Sequence, residues 1–112
     1  MGCNRLTNII IPNNVRTINE TVFQLCEHLI NLNIPDSVIS IGGYVFQNCI
    51  SLTNVTIGNG LLSIEDNTFE NCYALSNITI GNSVTNIGNF VFNFSKNLTS
   101  ITSLATTAPT IQ

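Results

Sequence analysis

Charge is scarce in this chain: three Lys or Arg and six Asp or Glu make only 8% of 112 residues charged, with a formal net charge of −3. No basic stripe is available to neutralise phosphates, which excludes nucleic acid as a partner class. Tryptophan is absent, and His28 and Lys96 are the only histidine and the only lysine. Catalysis needs a nucleophile or an acid poised by a neighbouring base; that raw material is thin, and an enzyme is not expected. No apolar run approaches the roughly 18 to 20 residues that span a bilayer, so no membrane insertion is expected. The opening Met1-Gly2-Cys3-Asn4-Arg5 lacks the charged-then-apolar pattern of a signal peptide, and Leu6 stands where a myristoylation signal carries Ser or Thr. Gly42-Gly43 precedes no Lys-Ser or Lys-Thr pair, so no phosphate loop is present and no cofactor is implied.

What the chain does have is bias. Apolar residues make up 44%, enough to exclude a solvated disordered tail. Asn (18), Ile (16) and Thr (13) together supply about two fifths of the residues. Such bias points to repetition. Leu6, Leu29, Leu52, Leu75 and Leu98 are each 23 residues after the last. They open four full units, 6–28, 29–51, 52–74 and 75–97, flanked by partial units 1–5 and 98–112, all read as one domain over 1–112. Counting from each Leu as position 1, position 4 holds Ile9, Leu32, Val55 and Ile78, and position 6 holds Ile11, Ile34, Ile57 and Ile80. Position 10 holds Val15, Val38, Leu61 and Val84, position 13 holds Ile18, Ile41, Ile64 and Ile87, and position 18 holds Phe23, Phe46, Phe69 and Phe92. Position 21 carries Cys3, Cys26, Cys49 and Cys72, closed by Ser95.

A residue type that returns every 23 residues cannot arise from helical or strand periodicity inside a unit, so equivalent coils must stack into a repeat solenoid. Polar positions 3 and 5 alternate with apolar 4 and 6, the period of a half-buried strand; one such strand per coil predicts a parallel β-sheet on one face. Pro12-Asn13, Pro35-Asp36, Gly58-Asn59 and Gly81-Asn82 then turn the chain. A second short strand follows at positions 10 to 13. After it, Phe and Cys three residues apart suit a single turn of helix or 3₁₀ helix lining the inside of the other face.

With these residues the unit LTxIxIPxSVxxIGxxxFxxC resembles the BspA-like leucine-rich repeat. The resemblance implies a leucine-rich-repeat solenoid and a protein found at the bacterial or protozoan cell surface, extracellular, and used in adhesion and host contact. Two departures stand out. Val22, Val45, Thr68 and Val91 occupy the place where the family usually has Ala, which widens the coil, and the last unit leaves the pattern after Ile101, with Ser103 to Pro109 resembling an irregular closing turn.

The candidate partner-binding face is the polar side of the predicted sheet: Asn8, Ile10, Asn31, Asn33, Asn54, Thr56, Asn77, Thr79, Ser100 and Thr102. A solenoid presents such a strip to a protein or glycan ligand; equally, Asn and Thr are the residues that form side-chain ladders between coils. The alternative function is structural, with self-association head to tail into a filament through uncapped ends, because the chain begins at position 19 of the repeat and ends at position 15. Stacked cysteines on neighbouring coils are about 4.8 Å apart, but their side chains run parallel, so Cys3, Cys26, Cys49 and Cys72 read as a structural ladder of buried thiols. No metal site is expected: His28 has no second histidine nearby, and Glu65, Asp66 and Glu70 read as a solvated acidic face. Sequons stand at Asn19, Asn54, Asn77, Asn93 and Asn97.

Overall fold

The structure, a computed structural model, describes residues 5–104 and 110–111. Each coil lays down a first strand from the alternating segment: β1 (Asn8–Ile10), β3 (Asn31–Ile34), β5 (Asn54–Ile57), β7 (Asn77–Ile80) and β9 (Ser100–Ser103). These form one five-stranded parallel sheet in coil order, with Asn8 opposite Asn31, Asn31 opposite Asn54, Asn54 opposite Asn77 and Asn77 opposite Ser100. A slip of one residue would turn every buried Ile and Val outward, so the alternation itself fixes this register.

The second strands are β2 (Thr17–Ile18), β4 (Ser40–Ile41), β6 (Ser63–Ile64), β8 (Asn86–Ile87) and β10 (Thr110–Ile111). They pair in parallel as β2 with β4 and as β6 with β8 with β10. In the last pair Ile111 stands opposite Ile87, which is 24 residues and not 23, so the final unit carries one residue more than the period. Its backbone nonetheless keeps the ladder past the point where the apolar pattern stops, since Ser103 still pairs with Ile80. Cys3, residues 105–109 of the expected closing turn, and Gln112 lie outside the described residues.

The third side of the coil departs from the expectation. No helix or 3₁₀ helix forms among the described residues; the segment containing Phe and Cys is a run of turns. The cause is backbone handedness: positions 16 and 20 of every full unit take positive φ, at Thr21 and Leu25, Tyr44 and Asn48, Asn67 and Asn71, and Phe90 and Phe94, with φ between 57° and 65°. A left-handed residue every fourth place interrupts any right-handed helix. It also redirects the amides. Tyr44, Phe46 and Asn48 donate N–H to the carbonyls of Asp66, Thr68 and Glu70 on the next coil, and Asn67, Phe69 and Asn71 repeat this toward Asn89, Val91 and Asn93. At the ends of the strand ladders the bonds run the other way, with Thr53, Gly58 and Gly88 donating back to Ile30, Ile34 and Ile64 of the preceding coil.

Inside lies one continuous core. Leu29, Leu52 and Leu75, Ile34, Ile57 and Ile80, and Phe46 and Phe69 are all buried. The four phenylalanines stack face to face along the axis, with ring centroids 5.6, 5.5 and 6.1 Å apart and interplanar angles of 5° to 8°. Position 17, where Val and Thr stand in place of the family's Ala, adds a further inward column: Val45, Thr68 and Val91 are buried beside the Phe column, while Val22 on the first coil is exposed. The left-handed residue before them turns both 17 and 18 inward, and Thr68 satisfies its hydroxyl by donating to the Glu65 carbonyl at 2.7 Å.

Candidate functional site

All ten candidate face residues lie on the five-stranded sheet. Nine are exposed and Thr79 is half-buried. Their chemistry divides by column. At position 3 the amides bond to one another: Asn54 Nδ2 donates to Asn31 Oδ1 at 3.2 Å, and Asn77 Nδ2 to Asn54 Oδ1 at 3.1 Å. Part of this column therefore serves cohesion between coils. At position 5, Asn33 and Thr56 are not held in such a ladder and direct their polar groups outward from the middle of the sheet. Ile10, 92% exposed, is the one apolar member of that column.

Two shallow depressions flank the column. One, of about 390 Å³, is lined by Asn8, Asn31, Leu32 and Asn54 together with Asn33 and Thr56. The other, of about 340 Å³, is lined by Pro35, Asp36, Gly58, Asn59, Thr79 and Leu104, again together with Asn33 and Thr56. Asn33 and Thr56 thus form the ridge shared by both, and Asp36 is the single charged group along it.

The cysteine column sits elsewhere, in the core. Cys26, Cys49 and Cys72 are buried and carry no disulfide. Cys49 Sγ donates to the Phe23 carbonyl and Cys72 Sγ to the Phe46 carbonyl, each at 3.3 Å, and Ser95 Oγ makes the same bond to Phe69 at 3.1 Å. The column is thus a set of small donors that bind the preceding coil, which is why Ser can close it. Burial pushes the Cys72 thiol far above its ordinary range, with the neighbouring Cys49 adding to the effect; a thiol that keeps its proton is a poor nucleophile.

Two further columns carry chemistry that the sequence pattern presented only as turns. Asp36 Oδ1 accepts the N–H of Asn59 at 2.6 Å, Asn59 Oδ1 accepts that of Asn82 at 2.9 Å, and Asp66 Oδ1 accepts that of Asn89 at 2.7 Å. The signal was present as Asn or Asp recurring at fixed places after each bend. On the turn side, Gln24 donates to Gln47, and Gln47 and Asn93 both donate to Glu70. Glu65, Asp66 and Glu70 are therefore occupied by separate donors, Glu65 by the Ser63 hydroxyl, and no cluster of His, Cys, Asp or Glu able to hold a metal ion occurs among the described residues. His28 is exposed.

Comparison with known families matches residues 1–111 to the BspA-type leucine-rich repeat region in six copies. The chain belongs to the BspA-type leucine-rich repeat family. Among solved structures, this BspA-type array is similar to the leucine-rich repeat protein of T. pallidum, with a TM-score of 0.77 and 29% identity over 87% of this chain and 45% of that one. It is also similar to a leucine-rich cell surface protein of Faecalibacterium prausnitzii A2-165, with a TM-score of 0.62 and 30% identity over 86% of this chain and 31% of that one. The BspA-type array thus spans less than half the length of either solved relative. No curated protein matches it.

Proposed function

We propose that this BspA-type array is a non-catalytic module at the cell surface that captures a protein partner on the outer face of its five-stranded sheet, in the service of adhesion. The observation that carries this reading is the Asn33–Thr56 ridge: exposed, polar, unladdered, and bordered on both sides by depressions. The surface location is supported by the description of the Faecalibacterium relative. The test is capture of solubilised animal-cell surface proteins by the immobilised chain, compared with Thr56→Arg on the ridge and Leu62→Arg on an exposed site outside both depressions. Loss of a ridge contact at the level of a binding hot spot, about 2 kcal/mol or roughly thirtyfold in affinity, is expected for Thr56→Arg, with unchanged circular dichroism and with no loss for Leu62→Arg. Equal capture by all three chains sinks the reading; binding to a glycan array, with none to protein, moves the ligand class to carbohydrate.

A second reading is head-to-tail assembly. Its support is an apolar depression of about 250 Å³ on the first coil, lined by Ile9, Ile11, Val15, Ile18, Val22 and Phe23, together with Ile101 exposed at the far side of the same core. Light scattering across a wide dilution series is expected to show a mass that falls with concentration if assembly occurs, and Ile101→Lys is expected to abolish the larger species. One constant monomeric mass removes this reading and leaves the first untouched.

A further inference from the structure

Asn59 and Gly60 form the bend between β5 and β6, where the chain leaves one ladder for the next. In the other full units the corresponding pairs are Asn13-Asn14, Asp36-Ser37 and Asn82-Ser83. The third unit alone follows an asparagine with a glycine. Glycine has no Cβ to shield its own backbone nitrogen from the preceding side chain, so an Asn-Gly pair is open to ring closure in a way that Asn-Asn and Asn-Ser are not.

Three structural features bring that chemistry within reach in the folded protein. Asn59 is exposed. No described residue accepts a hydrogen bond from the Gly60 N–H, which leaves the nitrogen uncommitted. Finally, Asn59 Oδ1 accepts the Asn82 N–H at 2.9 Å, a donor placed where negative charge collects on that oxygen when Cγ becomes tetrahedral. Packing also holds the glycine in place, since a Cβ at position 60 would lie 2.0 Å from the Asp36 carbonyl oxygen and 3.0 Å from that of Val38.

We propose that Asn59 is a self-modifying site of the folded array, at which the Gly60 nitrogen closes on the Asn59 side chain and water converts the amide to a carboxylate. Gly60 N gives its proton to solvent base and forms a bond to Asn59 Cγ. The Cγ–Nδ2 bond then breaks and ammonia leaves, producing a five-membered succinimide. Water opens that ring at Cγ to give aspartate, or at the Asn59 backbone carbonyl to give isoaspartate, whose main chain runs through the side-chain carbon. No electron transfer is involved, and each event adds one negative charge.

The two products differ in fit. Aspartate at 59 matches Asp36 and Asp66, which already accept the next coil's N–H through a carboxylate. Isoaspartate lengthens the main chain by one carbon at a bend whose glycine packs directly on the preceding coil, so the backbone there must shift to accept it. Asn59 also lines the second depression of the sheet edge, so either product places a carboxylate beside Asp36 on that rim. The effect of this charge on capture rests on the proposed binding face; the modification itself does not.

The test is incubation of the full chain, folded, at mildly alkaline pH in water enriched in heavy oxygen, followed by proteolysis and mass spectrometry. The expected result is incorporation of label at Asn59 before any other asparagine shows measurable conversion, at a rate no slower than in the same chain held unfolded in urea. Asn59→Gln, whose ring closure would be six-membered, is expected to lose the label, and Asn59→Asp is expected to keep the melting midpoint of the parent. An intact Asn59 in the folded chain while the unfolded chain converts, or label spread evenly over other asparagines, overturns the proposal. An Asn59→Asp chain that melts well below the parent overturns the assignment of aspartate as the accommodated product.

Discussion

Replacing Phe46 by alanine is expected to lower folding stability by about 3 to 5 kcal/mol, the range for emptying a fully buried aromatic site. Phe46 is completely buried and is stacked on both faces, 5.6 Å from Phe23 and 5.5 Å from Phe69. Its loss opens a gap in a column that runs through the molecule, and the coils on either side cannot close it, because their backbones are tied to one another by strand pairing and by the Phe46 N–H bond to Thr68. In a stack where each unit touches only its neighbours, a defect in the second coil weakens two interfaces at once. Urea unfolding of the parent and of Phe46→Ala measures the difference. The same change at Phe23, which is only half-buried, is expected to cost less. Equal losses at the two sites would show that the ring column does not carry the core.

Gly81→Ala is the second substitution with a large expected effect. A Cβ on Gly81 would lie 2.1 Å from the Gly58 carbonyl oxygen and 2.6 Å from its carbon, both backbone atoms of the preceding coil. Neither can rotate away, so the coils must separate locally at the end of the β5–β7 pairing. Overpacking of this kind costs about 1 to 3 kcal/mol and occasionally more, and a value at or above the top of that range is expected because the obstacle is main chain. Gly43→Ala serves as the comparison: there the added atom meets only the Asp66 carbonyl, at 3.1 Å. A thermal melt that places Gly81→Ala at the parent's midpoint would refute the close approach, whereas a small shift for Gly43→Ala beside a large one for Gly81→Ala supports it.

These glycines show where the sequence was legible and where it was not. The 23-residue spacing of Leu6 to Leu98 specified stacked coils, and the alternation at positions 3 to 6 specified which strand residues face inward, because both depend only on a period that can be counted along the chain. The role of glycine was not countable in this way. Gly58 and Gly81 read as turn formers, yet no described glycine has positive φ; their task is to let coils touch. Positive φ falls instead on Thr21, Leu25, Tyr44, Phe90 and Phe94, residue types that carry no such signal, and on Asn48, Asn67 and Asn71, which do; the stack compels the backbone at both positions through bonds to the next coil. The short helix expected between Phe and Cys failed for this reason, and the same left-handed residues turn Val45 and Thr68 into the core beside the Phe column. On the candidate face, the ten residues could be named from alternation alone. Which of them are spent on Asn31–Asn54–Asn77 cohesion depends on side-chain rotamers, and sequence does not report those.

The opposed directions of the backbone bonds make each coil a keyed part. On the turn side Tyr44, Phe46 and Asn48 offer hydrogens to the coil that follows, while at the ends of the strand ladders Thr53, Gly58 and Gly88 offer them to the coil that precedes. The upper rim of any coil therefore shows a row of amide hydrogens along the turn side and, along the parallel strands, N–H and C=O groups in alternation, a fixed pattern of positive and negative partial charge around the circumference. A coil laid on that rim after rotation about the axis, or upside down, would set like charge against like and strand its amides without partners, at a cost of about 1 to 3 kcal/mol for each buried group. Rotational setting is thus written into the peptide groups before any side chain is chosen, which leaves the outward-facing positions free to change from one coil to the next without disturbing how the coils sit.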